Sequence, residues 1–193
     1  MKISQSDIQK LKGTASGIFN QTIVVFWKLG LGKLLNHFPG VFGRSMVISF
    51  SDRGSSGFTH LPVLYYPQGD QIYCTNLNNL QPDWYLAIIA NPQVEIWLPE
   101  GWFTARAEIV DAPEEKQEML RKVFLAGGLV TQTLTNISVR KMDGDAFNEV
   151  TDNFPLLRIR RQSPRTGSDG PGSLAWLWPL ITLALVLRSK RRK

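Results

Sequence analysis

Apolar positions along this chain recur at two different spacings, and each spacing predicts a type of element. Phe103, Ala105, Ala107 and Ile109 alternate with Thr104, Arg106 and Glu108, a period of two that puts one set on each face of a strand over residues 102–110. Residues 93–98 alternate in the same way, and Pro99-Glu100-Gly101 supplies the turn between the two. Met46-Val47-Ile48-Ser49-Phe50, residues 61–66 and residues 71–75 are further strand candidates, the last two joined by Pro67-Gln68-Gly69-Asp70. Residues 154–159 read as a closing strand, with Pro155 placing it at an edge or at a strand start. Short strands joined by tight turns predict an antiparallel barrel rather than a doubly wound sheet.

Helical segments are predicted in three places. In the stretch from Gln81 to Asn91, Pro82 suits a first turn and Asp83 the positive end of the helix dipole. Trp84 and Ile88, like Tyr85 and Ile89, fall one turn apart, and Pro92 ends the helix by pushing Asn91 out of the α region. Asp111-Ala112-Pro113-Glu114-Glu115 starts another helix, with Met119, Leu120, Val123 and Phe124 as its buried stripe and Gly127-Gly128 as its stop. Residues 3–35 are apolar with basic interruptions and are weakened as one helix by Gly30 and Gly32; the segment reads as packed on the body, or also as touching a membrane or covering a site. Residues 129–152 carry no clear period.

After residue 160 the composition changes. Residues 160–173, Arg-Arg-Gln-Ser-Pro-Arg-Thr-Gly-Ser-Asp-Gly-Pro-Gly-Ser, read as a linker that buries no core. Residues 174–187 are apolar but for Thr182, carry Trp176 and Trp178 near one end, and precede Arg-Ser-Lys-Arg-Arg-Lys. That tail reads as membrane-inserted, although a helix of this length falls short of the ~30 Å hydrocarbon layer. Its basic end favours the cytoplasmic side; the same composition also resembles a bacterial C-terminal sorting signal on an exported domain. The expected organisation is therefore an N-terminal helical segment (1–40), a barrel (41–160), a linker (161–173) and a hydrophobic tail (174–193).

Charge then narrows the function. The formal net charge of +6 falls to about +1 once the five cations among the last six residues are set aside, which removes most support for nucleic-acid binding. A single cysteine, Cys74, excludes an internal disulfide. His37 and His60 stand alone, so no metal spacing is visible, and there is no nucleophile elbow, Walker loop or dinucleotide fingerprint. Arg53-Gly54-Ser55-Ser56-Gly57 is a small flexible loop with one cation, able to present backbone N–H groups and an arginine to a phosphate, or to serve as an ordinary turn.

In order along the chain come Ser56-Gly57, Pro62 entering a strand, Gly69-Asp70 in a hairpin, and Pro82-x-Trp84-Tyr85 running to Ala90-Asn91-Pro92-x-Val94. This succession resembles the deazaflavin-dependent nitroreductase and quinone reductase family over residues 45–123. The resemblance implies an α+β, mainly β fold: a split β-barrel of the FMN-binding type, here with flanking helices and a C-terminal hydrophobic tail helix. It implies a deazaflavin cofactor (coenzyme F-420), with FMN as the alternative, in contact with Arg53, Ser56, Gly57, His60, Pro62, Thr75, Asn76, Trp84 and Tyr85, and no catalytic residue, since the cofactor carries the chemistry. Hydride would pass to a quinone, nitro compound or other conjugated acceptor, and dimerisation through the barrel is also implied. Where the family has Gly-Arg-x-Ser/Thr-Gly and a further arginine, this chain has Arg53 before Gly54 and His60 in the later place. The anionic tail of the cofactor would then be held by Arg44, Arg53 and His60, or FMN would be preferred, or the barrel is a non-catalytic module without a redox cofactor. A haem- or bilin-binding barrel is a further reading, with His60 as its one candidate ligand.

Overall fold

The computed structural model describes residues 5–51, 57–77 and 83–190. Helices α1 (Gln5–Lys28), α2 (Gly32–His37) and α3 (Pro39–Phe42) lead into strands β1 (Ser45–Ser51), β2 (Phe58–Gln68) and β3 (Gln71–Thr75). Helix α4 (Asp83–Ala90) connects to β4 (Gln93–Leu98) and β5 (Gly101–Ile109). Then come α5 (Pro113–Ala126), α6 (Gly128–Thr135), α7 (Gly144–Thr151), β6 (Leu157–Pro164) and α8 (Trp178–Lys190). The six strands close into a barrel in the order β1-β2-β3-β6-β5-β4, every neighbouring pair antiparallel. Closure pairs the edges that an open sheet would leave exposed.

Period-two alternation divides the strands into an inner and an outer set. Met46, Ile48, Phe50, Leu61, Val63, Ile72, Cys74, Val94, Ile96, Ala105, Ala107 and Ile159 fill the interior. A second core lies outside β2 and β3, where Leu64 and Tyr73 meet Met119, Leu120, Val123 and Phe124 of α5 and Phe147 of α7. A third is small: Trp27 of α1 packs with Val47 and Trp97 on the outer wall of β1 and β4, with Ile23, Val24 and Trp102 partly covered beside them. Residues 129–152, without a clear period in sequence, form α6, a 3-10 turn over Val139–Lys141, and α7, whose Asp143 carboxylate accepts from the Ala146 N–H at 2.8 Å.

Several expectations change. The last strand begins at Leu157 and pairs with β3 on one side and β5 on the other, so Pro155 precedes it and marks no edge. The Pro155 carbonyl accepts from the Thr75 hydroxyl at 2.6 Å. Helix α5 starts at Pro113 with Ala112 as N-cap and no side-chain cap, so Asp111 does not fill that role. Segment 161–173 is no free linker. Its first residues extend β6 to Pro164, the Arg165 N–H donates to the Trp102 carbonyl at 2.8 Å, and the Gly172 N–H donates to the Trp27 carbonyl at 2.9 Å. The segment is too poor in apolar side chains to build a core, but backbone hydrogen bonds and ion pairs hold it, and composition does not register those. The tail helix α8 has 13 residues, and among the described residues no helix is long and apolar enough to cross a membrane.

Candidate functional site

Strand directions gather one end of the barrel. Ser51 ends β1, Phe58 opens β2, Thr75 ends β3, Gln93 opens β4, Ile109 ends β5 and Leu157 opens β6; antiparallel pairing puts all six at the same end. Helix α4 lies across that end, because Trp84 and Ile88 point into the barrel interior while Tyr85 is only partly covered. Phe58, Leu86 and Ile89, each more than two-fifths exposed, add apolar surface at this end. Gly57 is exposed beside it.

The residues singled out from sequence do not form one cluster. Arg53 and Ser56, and the Pro82 helix start, lie outside the described residues. Trp84 is buried in the barrel core with Ile88, 5.8 Å edge-on from the Tyr85 ring; it packs the barrel and does not form an open wall. Thr75 is fully buried on the outer face, its hydroxyl engaged by Pro155. Asn76 is buried next to it. Pro62, also buried, sits opposite Val47 in the β1–β2 ladder, ahead of Leu64 where pairing with β3 begins; a proline is tolerated there because that side of the strand carries no ladder partner. Arg44 precedes β1, so the seven residues of that strand, about 20 Å at ~3.3 Å each, separate it from the end where Ser51 and Gly57 lie. His60, opposite Ser49, therefore lies well along the barrel from Arg44.

His60 is the most elaborated position. Its Nδ1 shares a 2.7 Å hydrogen bond with the fully buried Ser49 hydroxyl, its ring tilts against Trp97 at 4.7 Å between centroids, and its Nε2 lies 3.7 Å from an Asp169 carboxylate oxygen. Lys28 at the end of α1 donates to the other Asp169 oxygen at 2.8 Å. Nδ1 is thus engaged by Ser49, while Nε2 faces the Asp169 carboxylate across a longer gap. Ser49, enclosed beneath the histidine, has no access to an electrophile, so the resemblance of Ser49, His60 and Asp169 to a hydrolytic triad is one of composition only. Burial, then the Lys28 charge, holds the imidazole below its ordinary 6.5, and Asp169 opposes them without prevailing.

That depression makes a pH prediction. The unfolded chain binds a proton on this imidazole near pH 6.5 while the folded protein resists until lower pH, so stability falls as pH drops below about 6.5 and levels once the folded form also protonates. The Lys28 hydrogen bond chiefly holds Asp169 below its usual value, so that group contributes only in the acid range below His60. Thermal unfolding of wild type and His60→Gln at about pH 7.5 and about pH 5.5 should show a smaller drop in the variant; equal drops would remove His60 as the source.

Alongside, Glu95 is almost wholly buried on the outer wall, accepting from the Trp102 indole at 3.0 Å and pairing with Arg165 at 3.0 Å. Arg165 also stacks over the Trp102 ring. The segment after β6 is therefore a strap, pinned by Glu95 at one point and by Lys28 and His60 at another. The sequence alone could not bring Asp169 to His60, since they are far apart in the chain and Asp169 sits in a stretch with no periodic signal. Beneath the strap the Trp27 and Trp97 indole N–H groups are buried with no hydrogen-bond partner among the described residues.

No protein-family model matches the sequence, and no curated protein is similar to it in sequence. Among solved structures the chain is similar to an F420-H2 dependent reductase (FDR-A), at 12% identity and TM-score 0.40 over 60% of this chain and 93% of that one. It is similar to an FAD-binding protein from Mesorhizobium loti at 13% identity and TM-score 0.39, over 67% and 89% of the two chains. The heme storage protein HutZ from Vibrio cholerae aligns at 12% identity and TM-score 0.39, over 70% and 88%. The barrel itself is defined by its own strand pairing: six antiparallel strands, closed, with a helix across one end.

Proposed function

We propose that this protein is an oxidoreductase of the flavin or deazaflavin kind, passing hydride to a quinone, nitro compound or other conjugated acceptor, and working at a membrane surface. The observation that carries the reading is the barrel end at which exposed Gly57 and partly covered Tyr85 lie with the apolar side chains Phe58, Leu86 and Ile89. A flat ring needs an apolar surface and one or two polar contacts, and this end offers both. The described residues supply the ring contact; the cation for a phosphate would be Arg53. When bound, the cofactor would supply the hydride. The chain's own part is to orient it. Tyr85, whose hydroxyl is held above its ordinary value by burial and then by Asp111, stays protonated, so its O–H would be available to donate to the ring.

Titration of the purified protein with FMN and with the deazaflavin, followed in the visible spectrum, tests this. A saturable perturbation is expected with one of them. Arg53→Ala should weaken that binding more than tenfold, about 1.4 kcal/mol, the scale of a charge-assisted phosphate contact. A flat titration with both compounds would sink the redox reading. It would favour a barrel that binds no redox ring, and the strap supports that second reading, since Lys28, Asp169, Glu95 and Arg165 seal the wall that bears His60.

A further inference from the structure

Helix α1 is apolar on two sides. Ile23, Val24 and Trp27 face the barrel wall, as its packing requires. Ile18, Phe19, Val25 and Phe26 form a second stripe at helical spacing, and all four are exposed. The one polar residue within that stripe, Thr22, donates its hydroxyl to the Ile18 carbonyl at 2.8 Å, one turn back. Helix α8 repeats the device. Its apolar run is interrupted only by Thr182, whose hydroxyl donates to the Trp178 carbonyl at 2.9 Å. The one hydroxyl within each apolar run is thus satisfied by its own helix, the condition an apolar medium imposes.

The two helices meet. The Leu174 N–H donates to the Lys28 carbonyl at 2.8 Å, and the Trp178 indole donates to the Leu29 carbonyl at 3.0 Å, so α8 departs from the C-terminal end of α1. At 100° per residue the exposed Trp178, Leu180, Ile181, Leu183 and Leu187 spread over more than half of the α8 circumference. A protein partner covers one side of a helix, whereas lipid covers all of it. The chain adds Arg188, Lys190, Arg191, Arg192 and Lys193 at the far end, each attracted by about 1 kcal/mol to an anionic surface. Trp176 and Trp178 stand where interfacial aromatics do. A 13-residue helix is about 20 Å long, too short for the ~30 Å core.

We infer that the α1 stripe and α8 together form a two-helix platform lying in one leaflet of an anionic bilayer, with the basic end on the same side as the barrel. This rests on the membrane-associated part of the function proposed above, extends it from the tail to α1, and is independent of the redox chemistry. The test uses the full chain with preformed vesicles of phosphatidylcholine alone or mixed with phosphatidylglycerol. Sedimentation should show binding to the anionic vesicles and little to the neutral ones. Phe19→Ser with Phe26→Ser should lower it more than tenfold, and an environment-sensitive dye on Phe19→Cys or on Leu183→Cys should shift to the blue with vesicles. Added trypsin should still cut the basic end, because it has not crossed.

Other outcomes overturn the inference in distinguishable ways. No binding by the wild type removes membrane association altogether. Binding with the basic end protected keeps association but makes the tail a spanning one. Binding with no dye shift at position 19 confines the contact to α8. A concentration-dependent dimer that the two serines abolish, without vesicle binding, makes the stripe a contact between copies. The flavin titration, run on the same protein without lipid, reports separately on the barrel.

Discussion

Trp84→Ala is expected to lower the unfolding free energy by about 3–5 kcal/mol, the cost of deleting a buried aromatic and leaving its space unfilled. Trp84 is 6% exposed and Ile88 1%, and the two are the plug by which α4 closes the barrel end over residues such as Ile48, Val94 and Ala107. The urea midpoint should fall with little change in slope. Tyr85→Ala should be milder in stability, since Tyr85 is only partly covered, yet should reduce ring binding if the proposed site is right. The two neighbours therefore separate packing from recognition. An apoprotein in which Trp84→Ala is as stable as wild type, with ring binding alone reduced, would return Trp84 to the wall of a groove.

The second large effect lies far from the site. Gly128 has φ +56°, and a Cβ there would stand 2.4 Å from the Pro39 carbonyl oxygen and 2.7 Å from that of Gly40. Gly43 is the reciprocal case, with φ +70° and a Cβ position 2.5 Å from the Gly127 carbonyl oxygen. Backbone cannot swing aside as a side chain does, so the α3 turn and the α5–α6 junction approach only because both carry glycine. The Arg44 N–H donation to the Ala126 carbonyl at 2.8 Å ties the same junction to the start of β1. Gly128→Ala combines left-handed backbone strain with that clash and should cost about 2–4 kcal/mol. Gly144→Ala, where nothing lies within 4 Å of the added methyl, is the control and should be neutral or slightly stabilising in the same thermal melt.

These two cases show how differently the parts of the molecule could be read in advance. Trp84 and Ile88 one turn apart, with Asp83 in the first turn and Pro92 beyond the end, state a short helix with a buried side, and α4 runs from Asp83 to Ala90 with those two residues buried. They do not state what lies beneath, and Trp84 enters the barrel interior instead of standing beside a ring. The candidate site follows the same division. His60 was visible as a lone titratable side chain, but its partners Ser49 and Asp169 come from β1 and from the strap, and nothing local announces either. Arg44 and His60 are both candidate grips for an anionic group in the sequence; the length of β1 places Arg44 at the opposite end from Ser51 and Gly57.

The amino-acid order by itself determined the strands over residues 46–50, 61–66, 71–75, 93–98 and 102–110, the helices at Asp83 and Pro113, and the apolar character of both ends, because each is written in spacings of two to four residues. Tertiary structure alone decided that β6 slots between β3 and β5 to close the barrel, that a Gly/Ser/Pro stretch becomes a strap, and that α8 leaves from the end of α1. Those outcomes depend on ladder hydrogen bonds, ion pairs and backbone donors meeting between residues far apart in the chain. Such pairings leave no period in the chain, since either partner alone is an ordinary polar group that water would satisfy equally well.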